Sequence, residues 1–225
     1  TNSGHMRLII EQSRRLRFRG NPLAFVFSEF YRKNTWSGQD SKSGTGSDLI
    51  QTARIRRELP PLFRRIKAKS LLDAACGDFY WMRDTELGLI KYTGIDVVPD
   101  LIAHNQHNYD NEIRKFINLD IIADSLPCAD VILCRDCLVH FPFRHIIATI
   151  RNFKRTGSKY LLTTTFTNLL KNKDITTGDW RPLNLQLSPF NLPEPVELIN
   201  EACTEAGTKH SDKSLGLWKL EAIRI

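Results

Sequence analysis

Apolar residues in most of the chain fall into short runs that alternate with longer segments of helical spacing. From Ser70 onward the short runs are rich in Leu, Ile, Val, Thr and Tyr, most of which favour strands. They predict strands at residues 71–74, 92–95, 116–119, 130–133 and 160–165. The segments between them predict helices at about residues 77–88, 99–109 and 142–154. This alternation indicates an α/β fold with a doubly wound, mostly parallel sheet, because parallel neighbours need a crossover connection.

The first third of the chain has a different pattern. Residues 7–33 mix arginines with aromatic residues and predict a helix with an apolar stripe. Its aromatic residues are Phe18, Phe25, Phe27, Phe30 and Tyr31. Residues 37–47, which read SGQDSKSGTGS, predict a loop because glycine and serine dominate them.

A further helix is predicted to begin at Ser47 or Asp48, since either residue is a suitable N-cap. It is expected to run to about Leu59, where Pro60-Pro61 stops it or begins a new first turn. Its buried side is expected to hold Leu49, Ala53, Leu62 and Phe63.

These changes of pattern divide the chain into two parts. Residues 7–66 are predicted to form a helical cap with a glycine- and serine-rich lid loop, and residues 67–225 the α/β core. Within the core, a loop-rich insert at about residues 168–195 is large enough to build a ligand pocket. After it, residues 196–199 and 217–220 are predicted to close the sheet as an antiparallel pair.

Composition is ordinary for a globular protein, at 41% hydrophobic and 25% charged residues. No apolar run reaches the roughly 18 residues of a membrane span, so we expect no membrane partner and a cytoplasmic location. The five cysteines are interpreted as reduced thiols. Cys134 and Cys137 form a CxxC pair, but no second pair lies at zinc-ligand spacing, and no metal site is predicted.

The formal net charge of +7 is concentrated near the start of the chain. Residues 1–69 contain 15 Lys and Arg against 5 Asp and Glu, whereas residues 70–225 contain 17 against 20. Such an excess favours an anionic partner, either nucleic acid or an anionic small molecule. A solvated helix face explains it equally well, and no RNA-binding motif accompanies it.

Two neighbouring strand ends carry the clearest chemistry. Residues 71–78 read LLDAACGD and residues 92–96 read YTGID, which places Asp96 19 residues after Gly77. A glycine turn after one strand and a carboxylate after the next are typical of a nucleotide-binding α/β sheet. Only one glycine stands where the dinucleotide fingerprint requires three, which disfavours a nicotinamide or flavin enzyme.

The first turn resembles the first motif of the class I S-adenosylmethionine (SAM)-dependent methyltransferases, in which an acidic residue begins a D-x-x-C/G-G turn. Segments at residues 94–96, 118–121 and 129–140 resemble the motifs that follow, in the same order. The resemblance covers roughly residues 70–166. It implies a Rossmann-like sheet of order 3-2-1-4-5-7-6 with an antiparallel last strand. It also implies SAM as the cofactor and S-adenosylhomocysteine (SAH) as the product.

The same resemblance implies which residues hold the cofactor. Gly77 would let the backbone pass close to the amino-acid portion, beside the N-terminus of the next helix. Asp96 would accept hydrogen bonds from both ribose hydroxyls, and Asp120 would face the adenine amino group. The implied set is Asp73, Ala74, Cys76, Gly77, Asp96, Val97, Asp120, Ile121, Cys134 and Arg135. Structural roles are the alternative, since Asp96 also suits a helix cap and Asp120 an ordinary turn.

A narrower resemblance is to uncharacterised bacterial methyltransferase-like proteins that carry a Trp and an SGxGS loop ahead of a CGDFxWM turn. Here these features are Trp36, residues 43–47 and residues 76–82. The resemblance implies a lid whose backbone N–H groups meet the cofactor carboxylate, and it adds Trp36, Gly44, Gly46 and Ser47 to the cofactor residues. The chain departs from the general first motif at Asp78 and Phe79, which replace the usual second glycine.

Methyl transfer requires an acceptor in line with the methyl group, exclusion of water and, for some acceptors, a base. Residues expected above the carboxyl edge of the sheet are candidates to contact the acceptor, namely Tyr31, Arg135, Asp136, His140, Asp179, Trp180 and Arg181. His140 and Asp136 are the candidates for a general base, with a structural role as the alternative for His140.

Three functions fit these observations. The compact chain and its insert favour methylation of a small-molecule or glycan acceptor, and the basic first third would suit an anionic one. The same basic excess motivates RNA (tRNA) methylation, although the NPPY-type tetrad that grips a flipped base is absent. The third function is cofactor binding without turnover. The sequence does not determine the acceptor or the oligomeric state.

Overall fold

The computed structural model describes residues 23–38 and 40–225. In this part of the chain, one sheet is formed by β1 Ser70–Ala74, β2 Lys91–Asp96, β3 Arg114–Asn118, β4 Val131–Cys134, β5 Tyr160–Phe166, β6 Glu197–Asn200 and β7 Lys213–Lys219. The α-helices described are α1 Leu23–Lys33, α2 Leu49–Arg65, α3 Pro99–Tyr109 and α4 Phe143–Arg155.

The strands lie in the order β3-β2-β1-β4-β5-β7-β6. All pairs from β3 to β5 are parallel, whereas β7 runs antiparallel to β5 and β6. The predicted fold class and strand order are therefore confirmed. The strand predicted at residues 217–220 begins earlier, at Lys213, because β7 pairs with β5 along its whole length, from Lys213 opposite Phe166 to Lys219 opposite Tyr160.

The core lies on both faces of the sheet, because successive side chains of a strand point to opposite sides. Leu72 of β1 belongs to a buried cluster that includes Ile150 of α4. Its neighbour Leu71 belongs to a second cluster with Ile55 of α2 and Leu101 of α3. Because β1 pairs in parallel with both β2 and β4, the carboxyl ends of these three strands lie side by side at one edge of the sheet. Ligands bind at this edge in open α/β folds.

The prediction of an α-helix at about residues 77–88 is wrong. Only a short 3₁₀ turn, Met82–Asp84, forms there. Gly77 and Phe79 have φ angles of 55° and 60°, which interrupt a right-handed helix at its start. The buried ring of Phe79 packs with Tyr92 and Phe116 at centroid distances of 5.0 and 5.1 Å, so tertiary packing fixes this conformation.

Helix α2 continues through Pro60 and Pro61, so the prolines neither stop it nor begin a separate helix. It begins after Asp48 and ends at Arg65, with Pro60 and Pro61 inside. Leu59, Leu62 and Phe63 are all buried on this helix, and their packing offsets the hydrogen bonds that the prolines remove. Leu62 and Phe63 are buried as predicted, and half-buried Leu49 packs against the core. Ala53 is exposed, and the buried positions in this part of the helix are Thr52, Ile55 and Leu59, which corrects the prediction for Ala53.

The N-terminal prediction is tested only in part. Helix α1 lies within the predicted helix at residues 7–33 and buries Val26 and Phe30, whereas Phe25 is exposed. Residues 7–22, with Phe18, lie outside the described residues. The predicted loop at residues 37–47 contains a short 3₁₀ turn, Thr45–Ser47, directly before α2.

All five cysteines are free thiols, of which Cys76, Cys134 and Cys203 are buried, Cys137 is half-buried and Cys128 is exposed. In residues 23–38 and 40–225, no helix is long and apolar enough to cross a membrane. No group of three or more His, Cys, Asp or Glu side chains in the same residues is arranged to hold a metal ion.

Candidate functional site

An open crevice of about 1000 Å³ lies over the carboxyl ends of β1, β2 and β4. Asp73 and Gly77 form its wall at β1, Asp96 and Val97 at β2, and Arg135 at β4. Helix α1 and the loop after it cover the opposite side through Phe27, Tyr31, Trp36, Ser43 and Ser47. We refer to this space as the crevice.

Asp96 closes β2 with a buried carboxylate. Its Oδ2 accepts a hydrogen bond of 3.2 Å from the backbone N–H of Gly77, and its Oδ1 accepts one of 3.0 Å from Val98. Burial raises the pKa of Asp96 to about 6, although the backbone N–H groups oppose the shift. Asp96 therefore holds the Gly77 turn in place, and each oxygen keeps a lone pair for a further donor.

Asp73 lies one strand away and is also buried in the wall of the crevice. The hydroxyl of Tyr92 donates a hydrogen bond of 2.7 Å to Asp73 Oδ2. Desolvation raises the pKa of Asp73 to about 7, with the nearby Asp96 adding to the effect. Among the described residues, no Lys, Arg or His forms an ion pair with Asp73 or Asp96, so the crevice presents two carboxyl groups to a ligand.

The turn between these carboxylates is fixed from outside the crevice. Asn105 of α3 donates a hydrogen bond of 2.8 Å to the carbonyl oxygen of Gly77. A Cβ atom at Gly77 would lie 2.4 Å from Ser43 Oγ, so the close approach of the loop requires glycine here. Because no α-helix follows this turn, the predicted helix N-terminus beside the cofactor is absent.

The loop after α1 is tied to the first turn by Asp78. Ser41 Oγ donates hydrogen bonds of 3.0 and 2.9 Å to its two carboxylate oxygens, and Ser43 Oγ and the N–H of Lys42 donate bonds of 3.1 and 2.9 Å. Asp78, one of the two residues that replace the usual second glycine, thus holds the loop against the crevice.

A second cavity of about 850 Å³ lies beside the crevice. Trp36, Ser43, Asp136 and His140 line both spaces. The other residues of the second cavity are Gly44, Thr45, Gly46, Phe166, Trp180, Cys203, Glu205, Ala206, His210 and Lys213. The two spaces therefore meet at the loop after α1 and the turn after β4.

Four charged residues form a network at this junction, in which Arg135, Glu201 and Lys213 are buried and Asp136 is partly exposed. Arg135 donates hydrogen bonds to Glu201, the shorter from Nη2 at 2.7 Å, and to the carbonyl oxygen of Gly46 at 2.8 Å. Lys213 Nζ lies 2.6 Å from Asp136 Oδ2 and 3.7 Å from Glu201 Oε2. Although burial alone would raise it, the pKa of Asp136 is lowered to about 2 by Lys213 and Arg135.

His140 follows the same turn and lies between the two spaces. Its Nδ1 is 3.0 Å from the carbonyl oxygen of Asp179. Because a carbonyl oxygen can only accept, this contact assigns the proton to Nδ1 and makes Nε2 the nitrogen that can accept a proton. The Trp36 ring lies 5.4 Å from the imidazole and restricts its orientation.

The crevice brings together nine of the predicted cofactor residues, namely Trp36, Ser47, Asp73, Cys76, Gly77, Asp96, Val97, Ile121 and Arg135. Gly44 and Gly46 line the second cavity instead. Ala74 and Cys134 are buried within strands and line neither space. Asp120 also lines neither, because its carboxylate turns back to accept a 2.7 Å hydrogen bond from the N–H of Ile122.

The predicted acceptor residues separate in a similar way. Tyr31 lines the crevice and Trp180 the second cavity, whereas Asp179 and Arg181 line neither. Buried Arg181 donates hydrogen bonds to the carbonyl oxygens of Leu138 and Phe141 at 3.0 and 2.7 Å, so it supports the turn that carries His140. Of the insert at residues 168–195, only Trp180 lines the second cavity.

Sequence reasoning did not identify several residues that line the second cavity, including Phe166, Cys203, Glu205, His210 and Lys213. Most of them follow β6 or begin β7, far along the chain from the recognised motifs. The one available signal was Lys213, a lysine at the start of an apolar strand, which requires a buried partner.

No family model and no curated protein matches the sequence. Many solved structures resemble this chain, among them the following two. A crystal structure of human N-acetylserotonin methyltransferase with SAM has a TM-score of 0.59 and 14% identity, over 91% of this chain and 61% of that one. N-methyltransferase NodS from Bradyrhizobium japonicum has a TM-score of 0.51 and 15% identity, over 72% of this chain and 94% of that one.

The chain has the Rossmann-like methyltransferase fold. It spans less than two thirds of the length of N-acetylserotonin methyltransferase. At this level of identity the similarity is one of fold, and the function must be argued from the crevice and the second cavity.

Proposed function

We propose that the protein transfers a methyl group from SAM to a small-molecule or glycan acceptor. The observation that carries the proposal is the pair of buried carboxyl groups, Asp73 and Asp96, on either side of the Gly77 turn in a crevice of about 1000 Å³. The solved structures of similar fold, one of them in complex with SAM, support the same cofactor.

The chemistry of the crevice fits SAM. Two carboxyl groups that form no ion pair with any described Lys, Arg or His suit a ligand that brings hydroxyl donors and positive charge. SAM provides both, through its ribose diol and through its ammonium and sulfonium groups. We assign ribose binding to Asp96, and we assign binding of the carboxylate end to Ser43, Ser47 and Lys42 of the covering loop.

When bound, SAM supplies an electrophilic methyl group on a positively charged sulfur atom. The residues shared by the crevice and the second cavity are those expected nearest to the transfer. Trp36 and Phe27 exclude water from one side, and the Asp73 and Asp96 walls orient the cofactor from the other. The acceptor would occupy the second cavity.

His140 is the better candidate for a general base. The contact of its Nδ1 with the Asp179 carbonyl oxygen makes Nε2 the proton acceptor. Asp136 is a weak base, because ion pairs with Lys213 and Arg135 hold its pKa at about 2. In this proposal Asp136 positions the buried network and does not take a proton.

The division into a cap at residues 7–66 and a core at residues 67–225 is part of the same proposal. Trp36 lines both spaces, Gly44 and Gly46 line the second cavity, and Ser47 lines the crevice. Asp78 of the core holds the loop there. A loop in this position would act as a lid that closes over the cofactor.

Two other functions would use the same fold. An RNA methyltransferase is supported only by the basic first third of the chain. A mobility shift with tRNA that weakens steeply with salt would favour it, because phosphate contacts release counterions. A protein that binds SAM without turnover would bind SAH and SAM alike and form no SAH with any acceptor.

Isothermal calorimetry with SAM and SAH tests the cofactor directly. We expect both to bind with dissociation constants well below about 1 mM, which corresponds to about −4 kcal/mol. The Asp96→Asn variant should lose roughly 1–3 kcal/mol of affinity through weaker hydrogen bonds to the ribose. The His140→Ala variant should bind both ligands almost as the wild type does.

Failure of both ligands to bind at millimolar concentration would contradict the proposal. Equal losses of affinity in the Asp96 and His140 variants would contradict the division of roles between them.

A further inference from the structure

The second cavity presents carboxylate oxygens, while the neighbouring cations lie beneath its surface. The side chains of Asp136 and Glu205 are 26% and 29% exposed, whereas those of Lys213 and Arg135 are 5% and 4% exposed. Both cations already have carboxylate partners, and Glu201 between them is buried. An incoming ligand therefore meets acceptors of hydrogen bonds and negative charge.

The summed charge of the network and Glu205 also favours a cationic ligand. Arg135 and Lys213 supply two positive charges, against the negative charges of Asp136, Glu201 and Glu205. Glu205 is held at the cavity surface by Thr45 of the loop, whose hydroxyl donates a 2.7 Å hydrogen bond to Oε1. The excess of one carboxylate favours a cationic ligand and disfavours an anionic one.

Flat rings form the rest of the cavity wall. Trp180 packs against His210 and Phe166 at centroid distances of 5.1 and 6.1 Å, and the residue is 46% exposed. Trp36 lines the cavity from the loop after α1. An exposed tryptophan held by two neighbouring rings is suited to stack on a ring of the ligand and to attract a cation.

We propose that the second cavity binds an acceptor that carries a primary amine on or beside a ring, and that this amine is the group methylated. The inference rests on the proposed function and narrows it, since it replaces the anionic acceptor that the basic first third of the chain suggests. Asp136 and Glu205 bind the ammonium form, and Trp180 stacks on the ring.

The reaction balances without a further reactant. The ammonium group gives one proton to Nε2 of His140, which leaves a lone pair on the nitrogen. This pair forms the N–C bond to the methyl group, while the C–S bond breaks and its electrons stay on sulfur. The products are a methylammonium compound and SAH, and His140 then returns its proton to water.

The experiment first measures SAH binding by calorimetry and then titrates the SAH-loaded protein with matched ring compounds. One set is glucosamine, glucose and glucuronate, and the other is phenethylamine, 2-phenylethanol and phenylacetate. In at least one set, we expect the amine to bind at least about 10-fold more tightly than the matching carboxylate. The same amine should yield a methylated product and SAH when SAM is supplied.

The Glu205→Gln variant should weaken amine binding about 10-fold and leave the affinities for SAH and for the neutral compound unchanged. The charge-matched control is Glu112→Gln, an exposed carboxylate before β3, which should change nothing. Trp180→Ala should lower the affinities for the amine and for its neutral partner alike. It serves as a second variant if Glu205→Gln does not fold.

Loss of SAH binding in the wild type would overturn the proposed function itself. With SAH bound, tighter binding of the carboxylates, no amine binding below about 10 mM, or an unaltered amine affinity in Glu205→Gln would each overturn the acceptor class alone.

Discussion

At the scale of single residues, burial controls the state of the two carboxyl groups that define the crevice. Desolvation raises the pKa of Asp73 to about 7 and that of Asp96 to about 6. The two groups differ in their partners, because Asp96 accepts two backbone N–H groups and Asp73 accepts the Tyr92 hydroxyl. Charging Asp73 in the absence of a ligand therefore costs the protein stability.

The Asp73→Asn variant should be more stable than the wild type at alkaline pH. Because the pKa of Asp73 is raised from 3.8 to about 7 in the folded state, the folded protein binds its proton more tightly, and stability falls as the pH rises between these values. At about 1.4 kcal/mol per pH unit the full cost is about 4 kcal/mol. We expect the variant to gain about 4 kcal/mol at pH 8, where the full cost applies, and about 2 kcal/mol or less at pH 5.

Urea unfolding at both pH values, without SAM, measures this difference. The control is Asp84→Asn, since Asp84 is exposed and its removal should not produce a pH-dependent gain. A loss of stability in Asp73→Asn at pH 8 would refute the interpretation.

The positions of Asp73, Gly77 and Asp96 could be predicted because strand ends in a parallel sheet share one edge. The side chain of Asp120 could not be placed in this way. Its carboxylate could point into the crevice or accept a hydrogen bond from the N–H of Ile122. The hydrogen bond to Ile122 forms and fixes its direction.

At the scale of elements, the segment after β1 shows how packing overrides a local preference. Its residues resemble a helix in spacing, but the buried ring of Phe79 requires a φ of 60° and the segment forms a turn. The same turn directs Asp78 toward the loop after α1, which donates four hydrogen bonds to its carboxylate. The absence of the helix and the attachment of the loop therefore have one cause.

The Asp78→Ala variant should release this loop and leave the sheet intact. Loss of its hydrogen bonds to Ser41, Lys42 and Ser43 should increase cleavage after Lys42 by trypsin and lower SAM affinity about 10-fold. Global stability should fall by about 1 kcal/mol or less, because the loop contributes little to the core.

Limited proteolysis, calorimetry and urea unfolding measure these three effects. Asp84→Ala is the matched control, because Asp84 is exposed in the next turn of the same segment and forms only a long ion pair of 3.7 Å with its neighbour Arg83. Equal cleavage after Lys42 in wild type and Asp78→Ala would show that Asp78 does not hold the loop.

At the scale of the whole molecule, the network of Arg135, Asp136, Glu201 and Lys213 joins parts that are distant in the chain. Arg135 and Asp136 follow β4, Glu201 follows β6, and Lys213 begins β7. Arg135 also donates to the carbonyl oxygen of Gly46, which connects the network to the loop after α1. A buried charge in such a network depends on every partner.

The Glu201→Gln variant should lose about 3 kcal/mol of folding free energy, because it leaves Arg135 and Lys213 with one carboxylate fewer in a buried place. The matched control is Glu197→Gln on β6, whose ion pair with Arg65 is exposed, and it should cost less than about 1 kcal/mol. Urea denaturation at pH 7 measures both. Similar small losses would show that the network does not support the fold.

The strand order was predicted from the family resemblance, whereas the amino-acid pattern by itself was enough to predict most strands, the mostly parallel sheet and the two carboxylates beside the glycine turn. These features follow from apolar periodicity and from the geometry of parallel strands, both of which are local or repeat along the chain. The tertiary structure decided the path of residues 77–88, the direction of Asp120, and the second cavity with Glu205, His210 and Lys213. Each of these depends on contacts between residues far apart in the sequence, and no local pattern encodes such contacts.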